Sequence, residues 1–181
     1  YLLVYEDARV RTERYWDMDY PATQEKEVSF DRAAQILDAG LNEAVKLRLQ
    51  NDDVPYCCLV SGGVDSSIVA GIAARYTNGP LPVFTVSFPH ERYDELPLAR
   101  GVAEYLGAKL YEVHVGAQEM VDVFGAAVVA AEGFAINGHL SAKYLLAKAV
   151  REAGYKFVLT GEGSDETLLG YAHLRADADA H

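Results

Sequence analysis

Two kinds of apolar spacing alternate along the chain. Apolar positions recur with the period of a helix in residues 31–50, 68–76, 95–106, 118–131 and 140–153. Short, mostly apolar runs bounded by turn residues occupy residues 56–60, 81–88, 109–115 and 156–160. We predict the first set as helices and the second as buried strands. Because helices and buried strands alternate, we expect an α/β fold: a three-layer sandwich whose mostly parallel sheet carries helices on both faces.

The beginning of the chain has a different pattern. Residues 2–5 and 10–17 predict a short hairpin or edge strands, with Tyr15 and Trp16 as an aromatic anchor. The polar stretch that follows, up to residue 27, predicts a linker, and Asp31 is the predicted cap of the next helix. We therefore expect one domain over residues 28–181, preceded by a linker or the end of another domain over residues 1–27.

Composition and charge narrow the class of protein. Half of the 181 residues are hydrophobic, yet no apolar run reaches the roughly 20 residues that span a membrane. The formal net charge of −11 argues against a nucleic-acid partner. Cys57 and Cys58 are adjacent on a predicted strand, so their side chains point to opposite faces and are poorly placed to pair. We expect free thiols in a reducing, cytoplasmic location; no Cys/His spacing suggests zinc.

A loop that could hold phosphate follows the first strand of the predicted sheet. Residues 61–67 read Ser-Gly-Gly-Val-Asp-Ser-Ser and lead directly into a helix. Glycines allow close backbone approach, and the first turn of a helix offers unpaired N–H groups to an anion. Asp65 would repel phosphate unless Mg²⁺ lies between them. The loop therefore predicts a nucleotide-phosphate site with its own metal ligand.

A second polar loop follows the last predicted strand. Residues 161–166 read Gly-Glu-Gly-Ser-Asp-Glu, which brings three carboxylates into six positions. Carboxylates this close are costly unless cations balance them. Since ligands of open α/β sheets bind beyond the carboxyl ends of the strands, we expect both loops at one edge of the sheet, around Mg²⁺ and a nucleotide.

The first loop lacks the Walker pattern and the dinucleotide fingerprint, and it resembles instead the PP-loop of the ATP pyrophosphatases. Over residues 28–175 the chain resembles the synthetase domain of glutamine-dependent asparagine synthetases, whose relatives include β-lactam synthetases and lasso-peptide cyclases. The matching segments are Leu-Val-Ser-Gly-Gly-Val-Asp-Ser-Ser at 59–67, Phe-Thr-Val-Ser-Phe at 84–88, Tyr-Asp-Glu at 93–95, Tyr-Leu-Leu at 144–146, Val-Leu-Thr-Gly-Glu-Gly-Ser-Asp-Glu at 158–166 and Gly-Tyr at 170–171. The resemblance implies the adenine-nucleotide alpha-hydrolase-like fold of PP-loop ATPases.

The resemblance also implies a role for individual residues. The adenine and ribose pocket would be lined by Val60, Val86, Thr160 and Gly161. The β and γ phosphates would be held by Ser61, Gly62, Gly63, Ser66 and Ser67. Asp65 and Asp165 would bind Mg²⁺ and share in catalysis, and Glu162 matches the glutamate tied to the acyl-adenylate. Glu166 and Tyr171 would border the substrate, whereas Asp94 and Glu95 are interpreted as carboxylates that favour a helix N-terminus.

The activity implied by the resemblance is amide synthesis driven by ATP. A carboxylate, with aspartate as first candidate, would be adenylated with release of pyrophosphate, and ammonia or another amine would then take the acyl group. A glutaminase domain or subunit is an implied partner, residues 1–27 resemble the end of such a domain, and the sequence leaves homo-oligomerisation open.

The chain departs from the family pattern in three places. It ends soon after Tyr171, before a family lysine, so we expect it to be incomplete at that end. Residues 133–143 lack the threonine- and arginine-bearing pattern found near aspartate in asparagine synthetases, and Thr-Leu-Leu stands at 167–169 in place of Phe-Gly-Gly. Three alternatives stay open: a β-lactam synthetase or peptide cyclase, an ATP-binding domain without turnover, and a tRNA-modifying PP-loop enzyme, which the acidic charge disfavours.

Overall fold

The computed structural model describes most of the chain, in seven stretches. These are residues 2–4, 10–17, 28–50, 54–90, 94–134, 137–168 and 170–174. The chain divides into two compact units, Tyr1–Leu37 and Asp38–His181, which are described separately.

The first unit contains the predicted hairpin. Strands β1 (Leu2–Val4) and β2 (Val10–Thr12) pair antiparallel, with Leu2 opposite Thr12. Tyr15 and Trp16, which we predicted as an aromatic anchor, are both largely exposed. The predicted linker falls mainly on residues 18–27, which lie outside the described residues.

Helix α1 (Phe30–Arg48) begins one residue before the predicted cap. The Ser29 hydroxyl oxygen accepts a hydrogen bond from the Arg32 backbone N–H at 3.3 Å, which is the geometry of an N-cap side chain. Asp31 lies in the first turn of α1, where its carboxylate favours the positive end of the helix. Ser29 therefore takes the capping position that we predicted for Asp31.

A four-stranded parallel sheet forms the centre of the second unit. Its strands are β3 (Tyr56–Leu59), β4 (Pro82–Ser87), β5 (Lys109–His114) and β6 (Phe157–Leu159), in the spatial order β5-β4-β3-β6. Every neighbouring pair is parallel, so the predicted sheet is confirmed, with strand limits one or two residues shorter than expected.

Helices connect the strands as the apolar spacing predicts. They are α2 (Val64–Tyr76), α3 (Leu96–Leu106), α4 (Ala117–Ala130) and α5 (Gly138–Glu152). Helix α2 begins earlier than predicted, inside the Ser-Gly-Gly loop, and a short helix that was not predicted, α6 (Ser164–Thr167), follows β6. Helix α3 ends at Gly107, whose left-handed conformation and backbone N–H bonds close the last turn. None of the helices in the described ranges combines the length and the apolar character that a membrane crossing requires.

The sheet separates two hydrophobic cores. Cys58 belongs to the core that packs against α2 and α3, with Ala70 and Ala99 among its buried members. Cys57 belongs to the opposite core, together with Phe84 and Leu146 of α5. Successive residues of β3 thus face opposite layers, which confirms the three-layer arrangement and the prediction that the two thiols do not pair.

The two thiols should be unreactive in the folded protein. Burial raises the pKa of Cys57 and the pKa of Cys58 to about 12. Because thiolate is the reactive form, about one thiol in ten thousand would be ionised at pH 8. We expect a disulfide reagent such as DTNB to label neither cysteine of the native protein at pH 8 and to label both after unfolding in urea. Rapid labelling of the native protein would contradict the buried placement of β3.

Candidate functional site

A cleft of about 300 Å³ opens at the carboxyl ends of β3, β4 and β6. Its walls combine apolar side chains, glycine backbone and carboxylates. The predicted site residues that line it are Val60, Ser61, Gly63, Asp65, Ser66, Val86, Thr160, Gly161, Glu162, Asp165, Glu166 and Tyr171. Of the predicted site residues, Gly62 and Ser67 do not line the cleft.

The first loop places a helix N-terminus at the cleft. Gly63 is the N-cap of α2 and, having no side chain, makes no capping hydrogen bond to the first turn. The Ser61 hydroxyl accepts from the Gly63 N–H at 3.2 Å, and the Ser66 and Ser67 hydroxyls donate to the Gly63 carbonyl oxygen at 3.2 and 2.6 Å. The loop therefore presents the positive end of a helix dipole to an anion. The Ser61 hydroxyl can add its proton, whereas Ser66 and Ser67 would first have to turn away from the Gly63 carbonyl.

Gly62 packs closely against α3. Its φ is +88°, and a Cβ at this position would collide with Leu98 and the backbone of Ala99. Gly62 is thus required for the turn and for close packing of the loop against α3, and it lies away from the cleft wall.

The two polar loops are in direct contact. A Cβ on Gly161 would lie 2.7 Å from the Ser66 nitrogen and 2.9 Å from the Asp65 Cβ. This approach follows from the sheet, since β3 and β6 are neighbours and Cys58 pairs with Leu159. Only glycine allows the second loop to come so close to the start of α2.

The second loop turns sharply into α6. Gly163, with a φ of +94°, is the N-cap of that helix, and the Ser164 hydroxyl donates to the Gly161 carbonyl at 2.8 Å. Asp165 and Glu166 therefore lie in the first turn of α6, where the free N–H groups stabilise negative charge.

Glu95 lines the cleft, although we interpreted it only as a helix N-terminal carboxylate. It is the N-cap residue of α3, while the neighbouring Asp94 accepts a hydrogen bond from the Leu96 N–H at 3.3 Å, as the helix interpretation predicts. The signal for Glu95 was present in the topology, because α3 begins at the edge where β4 ends. The cleft is thus lined by five carboxylates, those of Asp65, Glu95, Glu162, Asp165 and Glu166.

Two further side chains contact these carboxylates. The Lys143 ammonium of α5 lies 3.2 Å from Glu162 Oε1, a contact that the sequence did not suggest. The Tyr171 hydroxyl donates to Glu166 Oε1 at 3.3 Å, and the charge of Glu166 raises the pKa of Tyr171.

The donors of the cleft fit Mg²⁺ that is shared with a nucleotide. Magnesium in phosphate sites takes one or two protein carboxylates, and phosphate oxygens and waters complete its octahedron. Asp65 and Asp165 would supply such carboxylates from the two touching loops. In the described part of the chain, no group of three or more His, Cys, Asp or Glu side chains could hold a metal, so an all-protein metal cage does not fit.

The fold is that of the PP-loop ATPases. The NH3-dependent NAD synthetase from Campylobacter jejuni superposes with a TM-score of 0.50, over 76% of this chain and 60% of that one. The sequence identity is 16%, so the likeness concerns the fold alone.

Comparison of sequences gives the family. Amidase chyE of Penicillium rubens is 34% identical over 98% of this chain, and asparagine synthetase B of Escherichia coli is 29% identical over 97% of it. The chain spans 28% and 33% of the length of these two relatives. The sequence model of the asparagine synthase family matches residues 37–181, which include both loops and every residue that lines the cleft. The chain therefore belongs to the asparagine synthase family.

Proposed function

We propose that the protein is an ATP-dependent amide-forming ligase that adenylates a carboxylate and then transfers the acyl group to ammonia or another amine. The observation that carries the proposal is the contact between the two loops, Gly161 against Asp65 and Ser66, at the mouth of one cleft. It brings an anion-binding helix N-terminus and carboxylates for Mg²⁺ to one place, as a site for Mg-ATP requires.

The first chemical step breaks the bond between the α and β phosphates. An oxygen of the substrate carboxylate attacks the α phosphorus, and pyrophosphate leaves with the bridging oxygen and its electron pair. Ser61, Gly63 and Ser66 would hold the leaving phosphates, with Gly62 and Ser67 supporting the loop behind them. Mg²⁺, held by Asp65 and Asp165, would offset the charge that develops on pyrophosphate.

The second step forms the amide. The amine nitrogen attacks the acyl carbon, AMP leaves, and the nitrogen gives up a proton. Glu162 would lie beside the acyl-adenylate as a catalytic group. The adenosine would be bound by Val60, Val86 and the Thr160–Gly161 pair, while Glu166 and Tyr171 border the substrate side.

Aspartate is the first candidate for the carboxylate, which would make the overall reaction asparagine synthesis. A second candidate is another acid, as in a cyclase or amidating enzyme. Two observations favour it: relatives named amidases match at 34% and 32% identity, and Lys143 stands in the segment that departs from the asparagine synthetase pattern. An ATP-binding domain without turnover is the third candidate.

We also propose a wider organisation for the protein. Residues 1–27 would be the end of a glutaminase-type domain, and residues 28–181 would belong to the synthetase domain. The glutaminase, in the same chain or in a partner, would supply ammonia. A cytoplasmic location and self-association stay predictions.

Conversion of ATP to AMP and pyrophosphate, measured against a panel of carboxylic acids with ammonia present, tests the proposal. We expect one acid to stimulate AMP formation, with one amide formed per AMP. Formation of ADP instead would contradict cleavage between the α and β phosphates. Tight ATP binding by calorimetry without AMP formation would favour the non-catalytic domain.

A further inference from the structure

Lys143 is the cation in contact with the cleft, and the role proposed for the cleft residues does not account for it. Its ammonium lies 3.2 Å from Glu162 Oε1. The other ion pairs between described residues involve carboxylates outside the cleft, such as Glu112 and Glu152. Among the described residues, only the pair with Lys143 involves a carboxylate that lines the cleft.

The helix that carries Lys143 is firmly attached to the core. Ser141 and Ala142 beside it are buried, and Leu146, one turn further along the same face of α5, is buried against Phe84 and also lines the cleft. A side chain that starts from such an anchored turn reaches a defined point at the cleft edge.

Stability does not explain the pair. About 70% of each side chain is exposed, and exposed ion pairs contribute little to the stability of a fold. The interaction strengthens where water is excluded, as it would be once substrates fill the cleft. The pair would therefore act mainly in the occupied site.

The charges around Glu162 indicate what the pair does there. Four further carboxylates line the cleft, and both proposed substrates of the first step, ATP and a carboxylate, are anions. An unpaired Glu162 would be repelled by these charges, whereas the Lys143 ammonium fixes one of its oxygens and offsets its charge.

We propose that Lys143 is a positioning residue, which holds Glu162 in place beside the acyl-adenylate and lowers the repulsion between Glu162 and the anionic substrates. This role rests on the proposed function. Lys143 acts through Glu162, so its effect should fall on turnover and should disappear when the Glu162 carboxylate is absent.

Kinetics of three single variants tests the role. Lys143→Met removes the charge, Lys143→Arg keeps it, and Lys148→Met is the matched control, because Lys148 pairs with Glu152 on the same helix at 3.9 Å, and neither residue lines the cleft. We expect Lys143→Met to lower kcat for AMP formation about tenfold and to change the KM for ATP less than about twofold. Lys143→Arg should recover most of the rate, and Lys148→Met should behave as the wild type.

A double-variant cycle and a labelling experiment complete the test. Lys143→Met should have no further effect in a Glu162→Gln background. Acetylation by acetic anhydride, followed by mass spectrometry, needs no turnover: Glu162→Gln should increase the labelling rate of Lys143 about threefold and leave Lys148 unchanged, because the hydrogen bond to Glu162 must break before the Lys143 nitrogen can react.

The possible failures are distinguishable. If wild-type protein forms AMP and Lys143→Met matches Lys148→Met, the positioning role is wrong and the proposed function stands. If Lys143→Met mainly weakens ATP binding, Lys143 contacts the nucleotide directly, which also contradicts the role. If wild-type protein forms no AMP with any acid, the proposed function fails and the positioning role fails with it.

Discussion

Replacement of Asp65 with alanine is expected to reduce pyrophosphate release from ATP at least about a hundredfold, which is the usual effect of removing one group that stabilises developing charge. Asp65 is the carboxylate of the first loop that lines the cleft, and it lies against Gly161 of the second loop. Without it, the proposed Mg²⁺ would lose a ligand, and charge on the departing pyrophosphate would be poorly balanced. Release of pyrophosphate in a coupled assay measures the effect.

The control for this variant is Asp31→Ala. Asp31 and Asp65 are each the second residue of a helix, so both substitutions remove a carboxylate from a first turn and cost similar helix-dipole energy, about 0.3–1 kcal/mol. Asp31 does not line the cleft, and Asp31→Ala should keep the wild-type rate. Unchanged turnover by Asp65→Ala would overturn the assignment of the first loop.

Gly62→Ala is expected to lower the free energy of unfolding by about 2 to 5 kcal/mol. A left-handed backbone costs an alanine about 1–2 kcal/mol, and forced overpacking adds about 1–3 kcal/mol. Both terms apply, because φ is +88° and the new methyl would collide with Leu98 and the backbone of α3. Urea unfolding, followed by circular dichroism, measures the loss.

Gly79→Ala separates the two terms. Gly79 has a φ of +90° and nothing within 4 Å of a Cβ, so its substitution should cost only the backbone term, about 1–2 kcal/mol. Equal losses for the two variants would show that Leu98 moves away freely and would contradict the close packing of the loop against α3.

The order of elements could be predicted from apolar spacing because each spacing reflects a local requirement. Strands buried on both faces need continuous apolar runs, and helices packed on one face need a period near four. The cap of α1 was missed because Ser29 and Asp31 are both good capping residues, and only the backbone geometry selects Ser29. The exposure of Tyr15 and Trp16 was missed for a related reason: aromatic residues are common in cores, and their type alone does not fix burial.

The site, too, could be predicted from the sequence only in part. The loops at 61–67 and 161–166 can be recognised from their composition, and the order of strands and helices then predicts that they lie at the same edge of the sheet. The contacts of Gly62 and Glu95 depend instead on where α3 packs against the sheet. The spacing of apolar residues predicts that α3 is a helix, but it does not predict where that helix packs. Lys143 is nineteen residues from Glu162, and no pattern connects the two.

The sequence by itself determined the layers, the parallel sheet and the identity of the two loops, because helix period, strand burial and glycine-rich turns are local properties of neighbouring residues. Tertiary structure alone decided that Gly161 touches Asp65, that Gly62 packs on Leu98 and that Lys143 reaches Glu162. The physical reason is that these contacts join residues on different elements, and their distances are set by how strands pair and how helices pack on the sheet.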